Sequence, residues 1–238
     1  MMKLRSSRLT VAVLAVAAVI LVAGGIATAS NMGFKLNKVI VKHTTGQIGN
    51  NWVALPYHSP YNTAQVLCDQ TGLPSQRTLP PPPQAGTQVT SLDPVSGTFS
   101  TAVCGSSNIN LTPGRGVQIA PPNIAATPAS IILVGSHNPT LSLTIPKAGA
   151  GQIGNFWFSV PYHTTAVSTA DLCTSIGLSL QKLFPPPPVA GATLTALNPT
   201  LGTFSTATCG ASTFNLTLGD MIQIREPNKS VTFIPAHF

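Results

Sequence analysis

Apolar and polar positions follow the same order twice along the chain. The segment Gly46–Asn123 aligns with Gly151–Asn228 at an offset of 105 residues without a gap, and 40 of the 78 paired positions are identical. A repeat of this length is much longer than the unit of a solenoid protein. The pattern therefore predicts a tandem duplication of one domain of about one hundred residues, which is enough for a single core.

Short apolar or alternating runs dominate each repeat, as is typical of strands. "NNWVALPYH" and "NFWFSVPYH" are apolar runs that end at a proline and a tyrosine, and "SLQKLF" alternates. "ATLTALNPTLGTFSTATC" predicts a hairpin about Asn198-Pro199 and Gly202. "FNLTLGDMIQI" predicts two more strands about a Gly-Asp turn.

One short helix is predicted in each repeat. In the second repeat Ser168 and Asp171 form a capping-box pattern, and Gly177 supplies a stop signal two turns later. One such helix cannot cover both faces of a parallel sheet. We therefore predict a mainly β fold, with two tandem homologous β-sandwich or barrel-like domains that each contain one short helix.

The four cysteines form one pair in each repeat, and the members of each pair are 36 residues apart. Matched pairs in an exported chain favour disulfides, and we predict the bridges Cys68–Cys104 and Cys173–Cys209. A metal site that combines a histidine with a cysteine pair is the alternative. The lack of a C-x-x-C spacing counts against it.

The first residues have the order of a secretory signal peptide. Three basic residues precede the apolar run Leu9–Ala23, and Ala27-Thr28-Ala29 fits a cleavage site. An uncleaved membrane anchor is the alternative, because the segment from Leu9 has close to the ~20 residues that a spanning helix needs. We predict cleavage before Ser30.

The resulting organisation has three parts. Residues 1–29 form the signal peptide, residues 30–137 form domain 1 with an N-terminal leader strand, and residues 138–238 form domain 2. The predicted location is extracellular or at the cell surface, with membrane contact only through the signal peptide before its removal.

Charge excludes one class of function. Removal of Lys3, Arg5 and Arg8 lowers the formal net charge from +7 to +4, and the remaining basic residues are scattered singly. Nucleic-acid binding needs concentrated positive charge, so we expect none. Only 7% of the chain is charged, against about 25% in an ordinary soluble protein. Weak repulsion between copies permits self-association.

Histidines are the candidate metal ligands. His58 matches His163 in the repeated "PYH", and His137 takes the place of His237 if the second copy is five residues shorter near its end. Two histidines per domain are compatible with a metal site. The alternative is that they cap strand ends, because no carboxylate at matching positions completes a ligand set. We expect no metal and no cofactor.

Catalytic residues are not evident. No acid is kept in both copies, no close pair of acids serves as acid and base, and no G-x-S-x-G motif is present. We therefore expect no enzymatic activity.

The repeated aromatic residues allow structural interpretations. Trp52, Trp157, Phe99 and Phe204 are predicted to fill cores. Tyr57 and Tyr162 either stack on a ligand or are buried with bonded hydroxyl groups. The four-proline runs at 80–83 and 185–188 predict short polyproline II segments that act as rigid spacers or dock a partner.

A strand pattern precedes each domain and suggests how copies associate. Leu36, Ile40 and Lys42 before domain 1 match Leu141, Ile145 and Lys147 before domain 2. We hypothesise that the leader strand of domain 2 pairs with an open edge of domain 1. Domain 2 then keeps an equivalent bare edge, which the N-terminal strand of another molecule can fill.

This hypothesis predicts a secreted structural protein, the subunit of an extracellular filament or surface fibre assembled head to tail by strand donation. Its partner is itself. The donated strand is predicted to comprise Asn31, Met32, Phe34, Leu36, Val39, Ile40 and Val41. The alternative is a monomeric surface-associated module that binds polysaccharide or metal.

The mature start "NMGFKL", the block "GNNWVALPYH" and the ending "VGSH" together resemble an uncharacterised family of exported bacterial proteins with duplicated β-domains. The resemblance covers most of the mature chain and implies no activity. The strand-donation hypothesis is similar to donor-strand pili at the level of architecture only.

Overall fold

The computed structural model describes residues 33–42, 49–79, 82–162, 164–184 and 186–235. The predicted signal peptide therefore lies outside the described residues. Twelve strands and two helices are assigned in these ranges. In chain order they are β1 Phe34–Val39, β2 Asn51–Ala54, α1 Ala64–Thr71, β3 Gln88–Leu92, β4 Phe99–Val103, β5 Gly116–Ala120, β6 Ser130–Gly135, β7 Leu143–Ile145, β8 Asn155–Ser159, α2 Thr169–Ile176, β9 Thr193–Asn198, β10 Thr203–Thr208, β11 Met221–Arg225 and β12 Val231–Phe233.

The same arrangement occurs twice. Domain 1 has a four-stranded antiparallel sheet in the order β2-β5-β3-β4, and domain 2 has the matching order β8-β11-β9-β10. Each domain adds a two-stranded antiparallel ladder, β1–β6 in domain 1 and β7–β12 in domain 2. The predicted fold class, mainly β with two tandem domains, is confirmed. Neither helix in the described ranges has the length and apolar character needed to span a bilayer.

Local signals fix both helices. Ser168 accepts from the Asp171 N–H, the Asp171 carboxylate accepts from the Ser168 N–H in return, and Gly177 ends α2 in the left-handed conformation. In α1 the first cap is Thr63, whose side chain accepts from the Val66 N–H. Such caps satisfy N–H groups that have no partner within the helix. The predicted two-turn helix is confirmed.

Each helix is fastened to a sheet by a disulfide. Cys68 in α1 is bonded to Cys104 just after β4, and Cys173 in α2 is bonded to Cys209 just after β10. All four cysteines are buried in the two domain cores. Both predicted bridges are confirmed, and the chain has no free cysteine.

Two predicted strands are wrong. Within "SLQKLF" only Lys182 makes a bridge, to Val189, because the segment forms one side of a loop that contains the proline run. Reciprocal backbone hydrogen bonds of 3.0 and 2.8 Å close this loop. In "FNLTLGDMIQI" the first half contributes only the isolated bridge from Asn215 to Ser168, and the second half becomes β11.

The leader strand of domain 2 does not pair with domain 1. Strand β7 pairs with β12, with Ile145 opposite Val231 and Leu143 opposite Phe233. Our hypothesis for this strand is wrong, because the backbone groups of β7 are paired with the last strand of its own domain, while β6 of domain 1 is paired with β1. In domain 1 the leader strand β1 pairs with β6 in the same way. Among the described residues, the two domains therefore have the same unpaired edges.

The register of these ladders differs from the sequence alignment. In domain 1 Lys38 lies opposite Ile131, and in domain 2 its counterpart Leu143 lies opposite Phe233. Residues 131 and 233 are 102 positions apart, so the second copy is three residues shorter here and not five.

Candidate functional surfaces

Strand β1 contains Phe34, Leu36 and Val39 of the predicted donated strand, and Ile40 and Val41 follow it directly. It lies antiparallel to β6 over six residue pairs, from Phe34 opposite Gly135 to Val39 opposite Ser130. Leu36 is half-buried beside the core of domain 1, Val39 is 67% exposed and Ile40 is buried in that core. Asn31 and Met32 lie outside the described residues.

The end of β1 is held by a polar side chain. The Oδ1 atom of Asn51 accepts from the Val41 N–H at 2.8 Å, and its Nδ2 atom donates to the Val41 carbonyl at 3.0 Å. Asn51 is fully buried. These paired bonds give the segment after β1 a fixed position on the first strand of the sheet.

The inner face of β1 also contacts domain 2. The ring of Phe34 lies 3.8 Å from the ring of Tyr162 between centroids. The side chain of Leu36 packs over Gly219, and Lys38 forms an ion pair with Asp220. Strand β1 therefore joins the two domains although its ladder lies in domain 1.

Reciprocal contacts relate the two domains by an approximate two-fold axis. The Ala54 N–H donates to the Gly219 carbonyl and the Ser159 N–H to the Gly114 carbonyl, both at 3.2 Å. Ser159 is the counterpart of Ala54 in the repeat, and Gly219 is the counterpart of Gly114. The two bonds are therefore equivalent, with the two domains interchanged. Leu141 packs at Gly114 as Leu36 packs at Gly219. An arrangement in which each patch meets its own counterpart is the signature of a two-fold interface.

Two tyrosines cross this junction in the same reciprocal way. The hydroxyl of Tyr57 donates to the Ser159 carbonyl at 2.9 Å, and that of Tyr162 donates to the Ala54 carbonyl at 3.3 Å. Burial raises the pKa of Tyr57 well above its usual value and also raises the pKa of Tyr162. Of the two interpretations from the sequence, the buried tyrosine with a bonded hydroxyl is the one observed.

Alkaline pH should therefore destabilise the junction. The pKa of Tyr57 is raised in the folded chain. The stability that its neutral hydroxyl contributes is therefore fully present below the unfolded pKa of about 10. Above that pH the unfolded chain releases a proton that the folded chain retains, and stability falls by about 1.4 kcal/mol per pH unit. Tyr57→Phe should lose about 1 kcal/mol at neutral pH but decline less steeply between roughly pH 10 and 11.

Urea denaturation of both chains across that range measures the two slopes. Every other side chain is common to the two chains, so its contribution cancels in the comparison. Equal slopes would contradict a buried neutral Tyr57.

Aromatic side chains form a continuous row across the junction. Trp52 and Trp157 have ring centroids 6.1 Å apart, and each lies 5.6 Å from a phenylalanine of the opposite domain, Phe204 and Phe99 respectively. Both tryptophans are buried, whereas Phe99 and Phe204 are 50% and 58% exposed. The prediction of burial is confirmed for the tryptophans and is wrong for the phenylalanines, which cover the ends of the row.

Gly116 and Met221 occupy the same position in the two copies and meet at the junction. The side chain of Met221 is fully buried and fills the space where a Cβ of Gly116 would lie. Residues that are equivalent and in contact lie close to the two-fold axis. The junction cluster consists of Trp52, Leu92, Trp157, Leu197 and Met221, and Met221 is the most deeply buried of the five.

Of the four candidate histidines, His58 and His137 lie in the part of the chain that is described, and a backbone bridge places His58 opposite Ser136, the residue before His137. His58 is exposed, and its Nδ1 atom lies 3.0 Å from the hydroxyl of Ser136. His137 is half-buried. His163 and His237 lie outside the described residues. No group of three or more metal-ligating side chains occurs among the residues that are described.

Comparison of the chain with models of protein families, with curated proteins and with solved structures finds no match in any of the three.

Proposed function

We propose that this protein is an exported structural subunit that associates with copies of itself by exchanging strand β1. In the exchanged state, β1 of one molecule lies on β6 of the next and makes there the contacts that it makes within its own chain. The proposal differs from the sequence hypothesis in its acceptor, which is β6 of domain 1 and not an edge of domain 2.

The observation that carries the proposal is the contact set of β1. Its six-pair ladder with β6, its ring contact to Tyr162 and its ion pair with Asp220 are all made to parts of the chain that follow Asn50. An identical neighbour offers all of them, so exchange preserves the native contacts. Strand β7, in contrast, lies between β6 and β8 in chain order. It is therefore connected to folded structure at both ends, which restricts its movement.

The low charge of the chain favours close approach of copies. Only 7% of residues are charged. The outer side of the β1–β6 ladder exposes Val39, Ile132 and Val134, an apolar strip that a neighbouring molecule can cover. The two disulfides are compatible with an extracellular location.

A designed cross-link tests the exchange. The Ile40 N–H donates to the Ala129 carbonyl at 2.8 Å, so the alternation of an antiparallel ladder makes Asn37 and Ile132 a closely spaced pair without mutual hydrogen bonds. Both side chains are exposed. We expect the double variant Asn37→Cys with Ile132→Cys to form intermolecular disulfides under oxidising conditions. A ladder of covalent multimers on a non-reducing gel is the readout.

The matched control is Thr144→Cys with Thr232→Cys in the β7–β12 ladder, where the two hydroxyl groups lie 2.9 Å apart. This pair should link only within one molecule. Electron microscopy of the same samples shows whether filaments are present. Exclusively intramolecular linkage at 37 and 132 would overturn the exchange, and filaments with that linkage would indicate another surface, such as the outer strands β4 and β10.

A further inference from the structure

A cleft in domain 1 has an unusual combination of charge and hydroxyl groups. It lies where the β3–β4 hairpin approaches the segment that leads into β5, and its volume is about 460 Å³. That volume is within the range of small-molecule sites. The polar residues that line it are Ser91, Asp93, Ser100, Asn110, Thr112 and Arg115.

Arg115 supplies the positive charge. Its guanidinium carbon lies 5.4 Å from the ring centroid of Phe156, which is fully buried in domain 2. Its Nε atom is buried and has no hydrogen-bond partner among the described residues. The two Nη atoms, unlike Nε, are not buried without a partner, so they are the donors that a planar anion in the cleft can meet.

Asp93 supplies an acceptor for hydroxyl groups. Its Oδ1 atom accepts from the Val95 N–H at 2.9 Å, and its Oδ2 atom accepts from the Ser96 hydroxyl at 2.8 Å. Those hydrogen bonds lower the pKa of Asp93, and the bond from the Val95 N–H has the largest effect. The carboxylate has further lone pairs for a ligand. Asp93 and Arg115 are not within ion-pair distance of each other, although the charge of Arg115 contributes to the lowered pKa of Asp93.

Domain 2 lacks this chemistry at the equivalent positions. The counterpart of Arg115 is Asp220, which is paired with Lys38, and the counterpart of Asp93 is Asn198. Ser91 is replaced by Ala196. Domain 2 therefore lacks the guanidinium, the carboxylate and one of the hydroxyl groups of this cleft.

We propose that this cleft binds the carboxylated sugar unit of an acidic polysaccharide, such as a hexuronate. The carboxylate lies on the Arg115 guanidinium, which has five donors in a planar fork. Ring hydroxyl groups donate to Asp93 and exchange hydrogen bonds with Ser91 and Ser100. A sugar with both groups uses the whole cleft, whereas a neutral sugar leaves the guanidinium without its anion.

Isothermal titration of the purified protein with sodium galacturonate tests the site, with galactose and inorganic phosphate as comparison probes. We expect saturable binding of galacturonate in the millimolar range and binding at least about tenfold weaker for both comparison probes. Arg115→Gln should weaken galacturonate binding at least about tenfold, and Arg115→Lys should restore part of it because the charge returns without the fork.

Arg225→Gln is the matched control, because it removes the same charge from β11, where Arg225 donates to the Gly149 and Gly151 carbonyls. It should bind galacturonate as the unaltered chain does, and tryptophan fluorescence checks that each variant is folded. No saturable binding of galacturonate would overturn the proposal. Equal binding of galactose or of phosphate, or an equal loss in Arg225→Gln, would overturn it as well.

Discussion

Replacing Cys173 and Cys209 together with alanine should lower the free energy of unfolding by about 4 kcal/mol. The bridge closes a segment of 36 residues between α2 and the end of β10. In the unfolded chain this closure removes conformations that the open chain would regain, and the folded domain loses little in exchange. A domain of about one hundred residues has only roughly 5–15 kcal/mol of stability in total, so the loss is a large fraction of it.

Urea denaturation with tryptophan fluorescence measures this loss. The pair Cys68 and Cys104 closes a segment of the same length, so its alanine variant should lose a similar amount. Reduction of the unaltered chain should lower the free energy of unfolding by as much as the loss of both disulfides together. A variant with all four cysteines replaced should show the same free energy of unfolding with and without a reductant. An unaltered denaturation midpoint in either double variant would contradict the closure argument.

Exchanging the residues at the centre of the junction should show strong coupling. Gly116→Met should cost about 1–3 kcal/mol, because a second side chain enters space that Met221 already fills. Met221→Gly should cost about 2–5 kcal/mol, because it leaves a cavity among buried side chains. The double exchange should recover most of the loss, since the two positions are related by the approximate two-fold axis and the methionine then enters the same space from the opposite domain.

Equilibrium denaturation of the four chains gives the coupling energy directly. Trp52 and Trp157 belong to the same cluster as Met221, so their fluorescence reports the junction. If the cost of the double exchange equals the sum of the single costs, the two residues do not share one space.

Local chemistry could be read from the sequence. The capping residues of α2, the hairpin about Asn198 and the two disulfides depend on residue types at short or matched spacings, and all of them are observed. The duplication repeats the cysteine spacing in the first copy, whereas the capping box is present only in the second.

The sequence does not predict which strand or surface each element packs against. Alternation in β7 indicates a strand, but β12 and an edge of domain 1 offer the same backbone groups, so the pattern does not distinguish them. The apolar character of Trp52 predicts burial, yet it does not tell that the covering surface belongs to the other domain. Half of the surface of Phe99 is exposed because the residue lies at the rim of that junction.

The sequence patterns do not predict the cleft around Arg115, because "PGRG" has the composition of a turn. A signal was nevertheless present. Arg115 and its neighbour Gly116 differ in charge and in size from their counterparts Asp220 and Met221, between the identical residues Gly114 and Gln118. Such differences between copies indicate positions whose roles have separated, and they are visible without a structure.

Fusion of the two copies in one chain has a consequence for residues on the two-fold axis. In a dimer of identical chains, a residue on the axis meets itself, so it must suit its own image. Here Gly116 meets Met221. Two copies of domain 1 would leave a void at that point, and two copies of domain 2 would place two methionines in the space of one. The covalent link thus permits a mixed pair that identical chains cannot form, and it commits each half to the other as its partner.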